Sequence, residues 1–416
     1  MIIPDNDTIK TVASREKIDP AKLNQLTKHG NVAILGRDGQ SSVAIGKGLS
    51  TKVNVNLGTS PDNCDPGEEL EKADIARRCG ADTVSDCSTA GDIDGLRVKL
   101  ISDSFMPLTT VPIYQAVVSS GGFETTSDDS ILDTIEKHVK DGVASIVIHA
   151  GFTMDSLRYL QQHQRILGIV SKGGSMTAAI MFCQDRENPF ISLFDRILDM
   201  LRDTGVVLNL GNAMRSGCVH DLKDEPQLQE IVANAKLASR ANDAGIQVII
   251  EGLGGHVNAR DLKAWIDEHN QITNNRPLFV AGPLPTEIGV GHDHISAAIG
   301  GALAAGYGAD YLCAITPAEH LSLPNKNHVR EGVVAAKIAA HVGDSMKYGM
   351  ERCFDDDREL SIFRARKDWA GQFEHAIDPE SARDIHPEDT KECSMCGKYC
   401  AIAIMRKYGM RVPDDE

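Results

Sequence analysis

Between residues 51 and 317 the chain alternates between two textures. Short runs rich in β-branched residues end in Gly, Asn, Ser or His. They are TKVNVNLG (51–58), ADTVSDCS (81–88), MPLTTVPIY (106–114), ASIVIHAG (144–151), ILGIVSKGG (166–174), VVLNLGN (206–212), QVIIEGLGG (247–255), PLFVAGPL (277–284) and DYLCAITP (310–317). Longer amphipathic stretches lie between them, such as EELEKADIARRCG and QLQEIVANAKLASRANDAG. Each of these two closes on a glycine, a common residue just past a helix end. Apolar strands spaced by helices call for a parallel sheet buried on both faces. Nine candidate strands over about 270 residues fit a (β/α)8 barrel, an α/β fold, with one strand miscounted or accessory. A doubly wound open sheet is the structural alternative, but no G-x-G-x-x-G stands at a first strand–helix turn.

Around this middle the texture changes. Residues 1–50 read as a small N-terminal layer with one helix, DPAKLNQLTKHG, and one strand, NVAILGR. The barrel is expected over 51–345, and C-terminal helices with an arm over 346–416. Two helices are expected after Pro324, one in VREGVVAAKIAAHVGDSMKYG and one over 357–376. The polar stretch DPESARDIHPEDTKE reads as a linker. Lys plus Arg number 43 against 59 Asp plus Glu, a net charge of −16. Such a surface repels phosphate backbones, so no nucleic-acid partner is expected. No apolar run approaches the roughly 20 residues of a membrane span. The opening MIIPDNDTIKTVASREK lacks a basic then apolar leader, so the expected location is the cytoplasm, off any membrane.

Ten cysteines are present. In a reducing compartment they do not form a disulfide framework. Cys64, Cys79, Cys87, Cys183, Cys218, Cys313 and Cys353 are scattered and read as small buried hydrophobes. The other three crowd together in Cys393-Ser-Met-Cys396-Gly-Lys-Tyr-Cys400. Three thiolates in eight residues can grip one metal centre. Zinc usually takes four protein ligands, and neither His nor Cys follows Cys400; His386 stands on the other side at an unusual spacing. Three cysteines suit a [4Fe–4S] cluster with one iron left open for a ligand. Iron–sulfur and zinc both stay open on spacing.

Catalytic groups of a barrel sit at the C-terminal ends of its strands. Here those ends carry Asn54 and Asn56, Ser85, Asp86 and Ser88, Tyr114, His149, Ser171 and Lys172, Asn212 and Arg215, Glu251 and His256, and His320. Singly, each reads equally as a cap or turn residue. Together they describe a pocket rich in amide, hydroxyl, imidazole and cationic groups. Lys172-Gly173-Gly174 precedes a possible helix, where backbone N–H groups and the lysine charge suit a phosphate. His292 and His294 read either as a metal pair or as helix caps.

The segments KVNVNLGTS, TVPIYQA, IHAG, SKGGS, ENP, EGLGGHV, GPLPTEI, DHISAAIGGALAA, LCAITPAEHLSLPN, KIAAHVGD and CSMCGKYC occur in that order. Over about residues 50–402 this resembles the phosphomethylpyrimidine synthase family of thiamine biosynthesis, with its 5-hydroxybenzimidazole synthase branch. The resemblance implies a noncanonical radical S-adenosylmethionine lyase on a (β/α)8 barrel. It implies a homodimer in which one subunit's cluster arm closes the other's barrel. Its substrate would be 5-aminoimidazole ribotide and its electron donor a protein such as a flavodoxin or ferredoxin. Cluster ligation falls on Cys393, Cys396 and Cys400, and a divalent metal such as zinc on His256 and His320. Substrate contacts fall on Asn56, Tyr114, His149, Ser171, Gly173, Asn212, Arg215 and Glu251, with Glu251 or His149 as proton shuttle.

The departures from the family cluster at strand ends. Where pyrimidine synthases read MDLSTG, this chain has Ser85-Asp86-Cys87-Ser88-Thr89-Ala90. Lys172 replaces the Arg of SRGG, and Asn212 the Asp of DGLRPG. One residue is added before His256, Phe279 replaces a Tyr, and His292 replaces the Tyr of GYDHI. Ser85, Lys172 and Phe279 therefore join the expected substrate pocket. This pattern suits the same substrate and radical start with a different product, the 5-hydroxybenzimidazole precursor of a cobalamin lower ligand. Phosphomethylpyrimidine is the alternative product. An iron–sulfur sensor and a hydrolytic metal barrel are the rival classes.

Overall fold

A computed structural model of the protein describes residues 5–37, 40–221, 223–386 and 393–410, apart from the side chains of 350–354. Two strands, β1 (Val32–Leu35) and β2 (Val43–Gly46), form an antiparallel hairpin near the N-terminus. Eight more follow: β3 (Lys52–Leu57), β4 (Thr83–Asp86), β5 (Leu108–Thr110), β6 (Ser145–Ile148), β7 (Val207–Leu210), β8 (Val248–Glu251), β9 (Leu278–Val280) and β10 (Tyr311–Cys313). They are all parallel and close on themselves, with β10 pairing to both β3 and β9. Helices cover the outside, so the fold is an α/β (β/α)8 barrel. The strands are buried almost throughout, which suits their β-branched residues.

The hairpin occupies one end of the barrel. Ala33, Leu35 and Ile45 pack on Ala144, Val207, Ile249 and Tyr311, which stand at or near the starts of their strands. The Gln247 side chain accepts the Ile34 backbone N–H at 2.8 Å. A buried ion pair, Lys52 to Glu16 at 2.8 Å, joins the first barrel strand to the N-terminal layer. The N-terminal mouth is thereby covered, and function is left to the C-terminal ends of the strands.

Several expectations need correction. The run 166–174 is not a strand. Ile166 and Leu167 are 69% and 53% exposed in a loop, and Ser171 caps a helix, Lys172–Cys183. An apolar run without sheet neighbours looks like a strand by composition alone. It was the surplus ninth candidate. In 106–114 the strand lasts only three residues, because Pro112 opens a helix, Pro112–Ser120, that carries Tyr114. The N-terminal layer holds an extra helix, Asn6–Arg15, and the second strand β2. The helix expected over 357–376 is two, Met350–Arg366 and Trp369–Glu374. Within the expected linker stands a short helix, Pro379–Ile385, and its remainder, 387–392, lies outside the described residues. Cys64 and Cys183 are exposed rather than buried. No helix among the described residues is long and apolar enough to cross a membrane.

The chain divides into two compact units, Met1–Gly343 and Asp344–Glu416. The second holds the helices after residue 349, a 3-10 turn at Gly397–Tyr399 and a helix at Ala401–Lys407. There Arg406 donates to the Ala365 carbonyl at 3.2 Å, and His386 packs on Trp369 with ring centres 4.3 Å apart.

One buried cation braces the wall that carries Tyr114. Arg97 is fully buried and donates to Asp141 at 2.7 and 3.0 Å and to Gln115 at 2.8 Å, with Asp94 also in contact. Gln115 follows Tyr114 in the same helix. Burial and the Arg97 charge push His138 down to about 3, so it stays neutral within this network. Arg97→Met leaves Asp141 only the half-exposed Lys137 at 3.3 Å, takes the buried donor from Gln115, and should cost about 3 kcal/mol. Urea unfolding measures this. Arg158→Met, which breaks an exposed pair with Asp155, should cost close to nothing.

Candidate active site

The C-terminal ends of the strands surround a cavity of about 360 Å³. Asn56 and Ser85 border it from neighbouring strands β3 and β4, where they pair in register. Tyr114, His149, Ser171 and Lys172 form one side, and Asn212, Arg215, Glu251 and Phe279 the other. Every residue singled out for substrate lies on this lining except Gly173. That glycine stands behind His149, where a Cβ would fall 2.3 Å from the imidazole Cε1.

Each side chain is held by specific partners. Ser171 Oγ accepts the Gly174 N–H at 3.1 Å, which caps the helix, and sits 3.0 Å from His149 Nε2. The His149 ring lies between Gly173 and Gly211; a Cβ at Gly211 would come within 2.7 Å of Nε2. Asn188 donates to the His149 carbonyl at 2.9 Å. Burial, helped by the Arg215 charge, pushes His149 down to about 3, so the imidazole is neutral. Its Nδ1 is buried without a hydrogen-bond partner among the described residues. Lys172 lies over the Tyr114 ring, 4.7 Å from its centre, and donates to the Cys87 carbonyl at 3.2 Å. Two cationic heads, Lys172 and Arg215, and a helix start thus face one small space, an arrangement suited to an anionic ligand.

Across the cavity, Glu251 accepts from Asn209 Nδ2 at 3.2 Å and from the Asn212 backbone N–H at 3.3 Å. Burial raises its carboxyl above the ordinary glutamate range, while Arg215 pulls it back. Arg215 itself donates to the Asn212 carbonyl at 3.1 Å. Glu251 therefore holds a proton more readily than a surface carboxylate, whereas His149 does not.

Sequence reasoning missed four groups. Cys87, Cys313 and Glu319 also border the cavity. Burial pushes the Cys87 thiol up to about 12 and the Cys313 thiol well above its ordinary value, so neither is a thiolate. Their position at strand ends was the available signal. The fourth, Glu230, lies behind the lining and accepts from Asn212, Ala213 and Met214. In sequence it looks like one charged position of a long amphipathic helix.

The expected metal ligands can be tested against their surroundings. Among the described residues no three His, Cys, Asp or Glu side chains are gathered to hold an ion. The three cysteines nevertheless share one turn. Cys393 and Cys396 are exposed and Cys400 is half-buried, and the Met395 N–H donates to Cys393 Sγ at 3.4 Å. Accessible thiols in a short run, one already accepting a backbone N–H, fit a three-cysteine [4Fe–4S] cluster whose binding completes the loop. The His256 and His320 rings lie 5.2 Å apart, after β8 and β10. His256 Nδ1 meets the Glu287 carboxylate at 3.0 Å, and His320 Nδ1 lies 3.5 Å from the buried Asp293 Oδ2, which has no hydrogen-bond partner among the described residues. Two imidazoles beside an unsatisfied carboxylate suit a divalent cation in chemistry, though not in a preformed geometry. His292 stands at a helix N-cap without a capping bond, and its ring lies 6.2 Å from that of His294.

Two outcomes follow from the His149 packing. Gly173→Ala drives a methyl into the imidazole and should cut activity about a hundredfold and cost about 1–3 kcal/mol of stability, as overpacking does. Because burial holds His149 neutral, its Cε1 proton resonance should not titrate between pH 8 and 5. The stability tied to this depressed histidine is complete above an ordinary value of about 6.5. It is lost only as pH falls toward about 3. A titration midpoint near the ordinary value would contradict the packing.

Comparison with known proteins places the chain. Residues 4–407 match the model of the radical SAM ThiC family. The phosphomethylpyrimidine synthase of Archaeoglobus fulgidus is 42% identical over 408 residues, covering 96% of each chain. That of Caldanaerobacter subterraneus is 42% identical, over 96% of this chain and 95% of its own. That of Methanocaldococcus jannaschii is 41% identical over 97% of each. A barrel with its polar residues at the strand ends and three cysteines beyond it is what this match covers, and the chain belongs to the radical SAM ThiC family, which implies S-adenosylmethionine and a [4Fe–4S] cluster.

Proposed function

We propose that this chain rearranges 5-aminoimidazole ribotide by its family's radical chemistry. The observation that carries the reading is the cavity, whose lining includes all the residues assigned to substrate except Gly173. Lys172, Arg215 and the helix start at Ser171 suit the ribotide phosphate. Asn56, Ser85, Asn212 and His149 suit its hydroxyls and ring nitrogens. Cys393, Cys396 and Cys400 would hold the cluster, which with S-adenosylmethionine supplies the radical that takes a hydrogen from the ribose. Of the two proton-shuttle candidates, Glu251 fits better. Its carboxyl, raised above the ordinary glutamate range by burial, holds a proton more readily than a surface carboxylate, while His149 stays neutral and serves as a hydrogen-bonding partner. A homodimer, a flavodoxin or ferredoxin as electron donor, and a divalent metal at His256 and His320 belong to the same reading.

The relatives' names support phosphomethylpyrimidine as product. A second reading, 5-hydroxybenzimidazole, rests on a specific observation. Four departures from the pyrimidine pattern, Ser85, Lys172, Asn212 and Phe279, all border the cavity. An anaerobic assay decides between them, with reconstituted cluster, S-adenosylmethionine, a reductant and aminoimidazole ribotide, products being identified by mass. The pyrimidine phosphate supports the first reading and 5-hydroxybenzimidazole the second. Neither product from a fully reconstituted protein would defeat both.

Cys393→Ala, Cys396→Ala and Cys400→Ala should each abolish 5′-deoxyadenosine formation and leave barrel unfolding unchanged. The motivation is that the three lie in the second compact unit, outside the barrel. Turnover near normal in any one of them overturns the ligand assignment. A collapse of barrel stability in all three points instead to a structural zinc.

A further inference from the structure

Part of the cavity wall is set by a residue that does not border the cavity. Glu230 lies in the helix Glu225–Asp243 and is fully buried. Its Oε1 accepts the Ala213 N–H at 2.8 Å. Its Oε2 accepts the Met214 N–H and the Asn212 side-chain Nδ2, both at 2.8 Å. A carboxylate can only accept hydrogen bonds, so the Asn212 atom facing Glu230 is the nitrogen. The amide oxygen is thereby turned away from Glu230. That oxygen is buried and has no hydrogen-bond partner within the described chain. Buried polar atoms are normally satisfied, and an unsatisfied one costs free energy. Asn212 borders the cavity, and a ligand that displaces the packing over this oxygen would supply the missing donor.

We propose that Glu230 is a positioning residue that locks the Asn212 amide with its oxygen free to read an N–H or O–H donor on the bound ligand. Other side chains at position 212 would not serve alike. An aspartate there would set a second carboxylate against Glu230, and one of the two would have to take up a proton. The amide presents the same acceptor with a single negative charge behind it. The proposal rests on the proposed function only for the choice of probe, since aminoimidazole ribotide carries both an amine and ribose hydroxyls.

The test is a double-mutant cycle on cluster-reconstituted, full-length protein, kept anaerobic and without S-adenosylmethionine so that nothing turns over. Titration calorimetry measures aminoimidazole ribotide affinity at pH 8, above the value of about 7 to which burial raises Glu230. Glu230→Gln and Asn212→Ala should each weaken binding about tenfold, as the loss of one hydrogen bond does. The double variant should bind no more weakly than Asn212→Ala, because Glu230 acts through that amide. Wild-type affinity in Glu230→Gln overturns the proposal. So does a Glu230→Gln loss that persists in the Asn212→Ala background, since Glu230 would then act through the loop backbone. Should Glu230→Gln fail to fold, Glu230→Asp draws the carboxylate back by one methylene and enters the same cycle with the same expected pattern. A ligand-free measurement stands beside it. The Asn212 side-chain amide protons should exchange slowly with solvent in the wild type and quickly in the Glu230 variant. Fast exchange in the wild type overturns the positioning contact. If the wild type binds no aminoimidazole ribotide, the proposed function falls, and amide exchange alone decides the role of Glu230.

Discussion

One buried amide, Asn54, ties the cavity floor to the barrel wall. Its Oδ1 accepts from Thr83 and Ser85 at 3.0 Å and from the Tyr311 hydroxyl at 3.3 Å. Its Nδ2 donates to Asn56 Oδ1 at 2.8 Å. Strands β10, β3 and β4 are thus joined across their side chains as well as along their ladders. Polar groups inside a barrel are costly unless each finds a partner. Here the partners themselves include Asn56 and Ser85, which border the cavity. Barrel closure and the placement of these two site residues share one set of hydrogen bonds.

The fold was legible because burial leaves a plain mark. Eight of the strand runs are buried over nearly their whole length, and turn or capping residues stand between them and the helices. The misreading of 166–174 shows the limit of that mark. Ile166, Leu167 and Val170 carry strand composition while partly exposed in a loop, and what distinguishes them is the absence of a neighbouring strand, which no local pattern encodes. Tyr114 shows a different limit: Pro112 opens a helix as readily as it ends a strand. Site residues at strand ends were legible because the barrel sends every such end to the same mouth. Glu230 was not. It reaches Asn212 from 18 positions away, through a contact set by how its helix packs behind β7.

Environment, more than residue type, divides the chemistry of the cavity. Lys172 and Arg215 bring positive charge, and Glu251 faces Arg215's field from a buried position. His149, the residue most readily taken for an acid–base group, is the one burial keeps neutral. Its imidazole is wedged between two glycines and bonded to the helix-capping Ser171, so geometry as well as protonation is fixed. A titratable group so held serves better to orient a ligand than to exchange protons with it.

The same separation explains how a pocket can change while a barrel persists. Phe279 packs against Tyr311 with ring centres 4.2 Å apart, and it borders the cavity beside Glu251, its register partner. A phenol at 279 would add a donor to this wall without altering the strand. Asn212 satisfies Glu230 with its nitrogen, and its buried oxygen has no hydrogen-bond partner among the described residues. Each change alters one hydrogen-bonding group at a strand end, where no ladder bond depends on the side chain. A lost or gained bond of this kind is worth roughly 1 kcal/mol when neutral and more when charged. About 1.4 kcal/mol is tenfold in a rate ratio. Two or three such groups acting together are enough to change a rate ratio by about a hundredfold. The barrel beneath rests on its buried strands and on the Asn54 hydrogen bonds, to which Ser85 contributes and Asn212 does not.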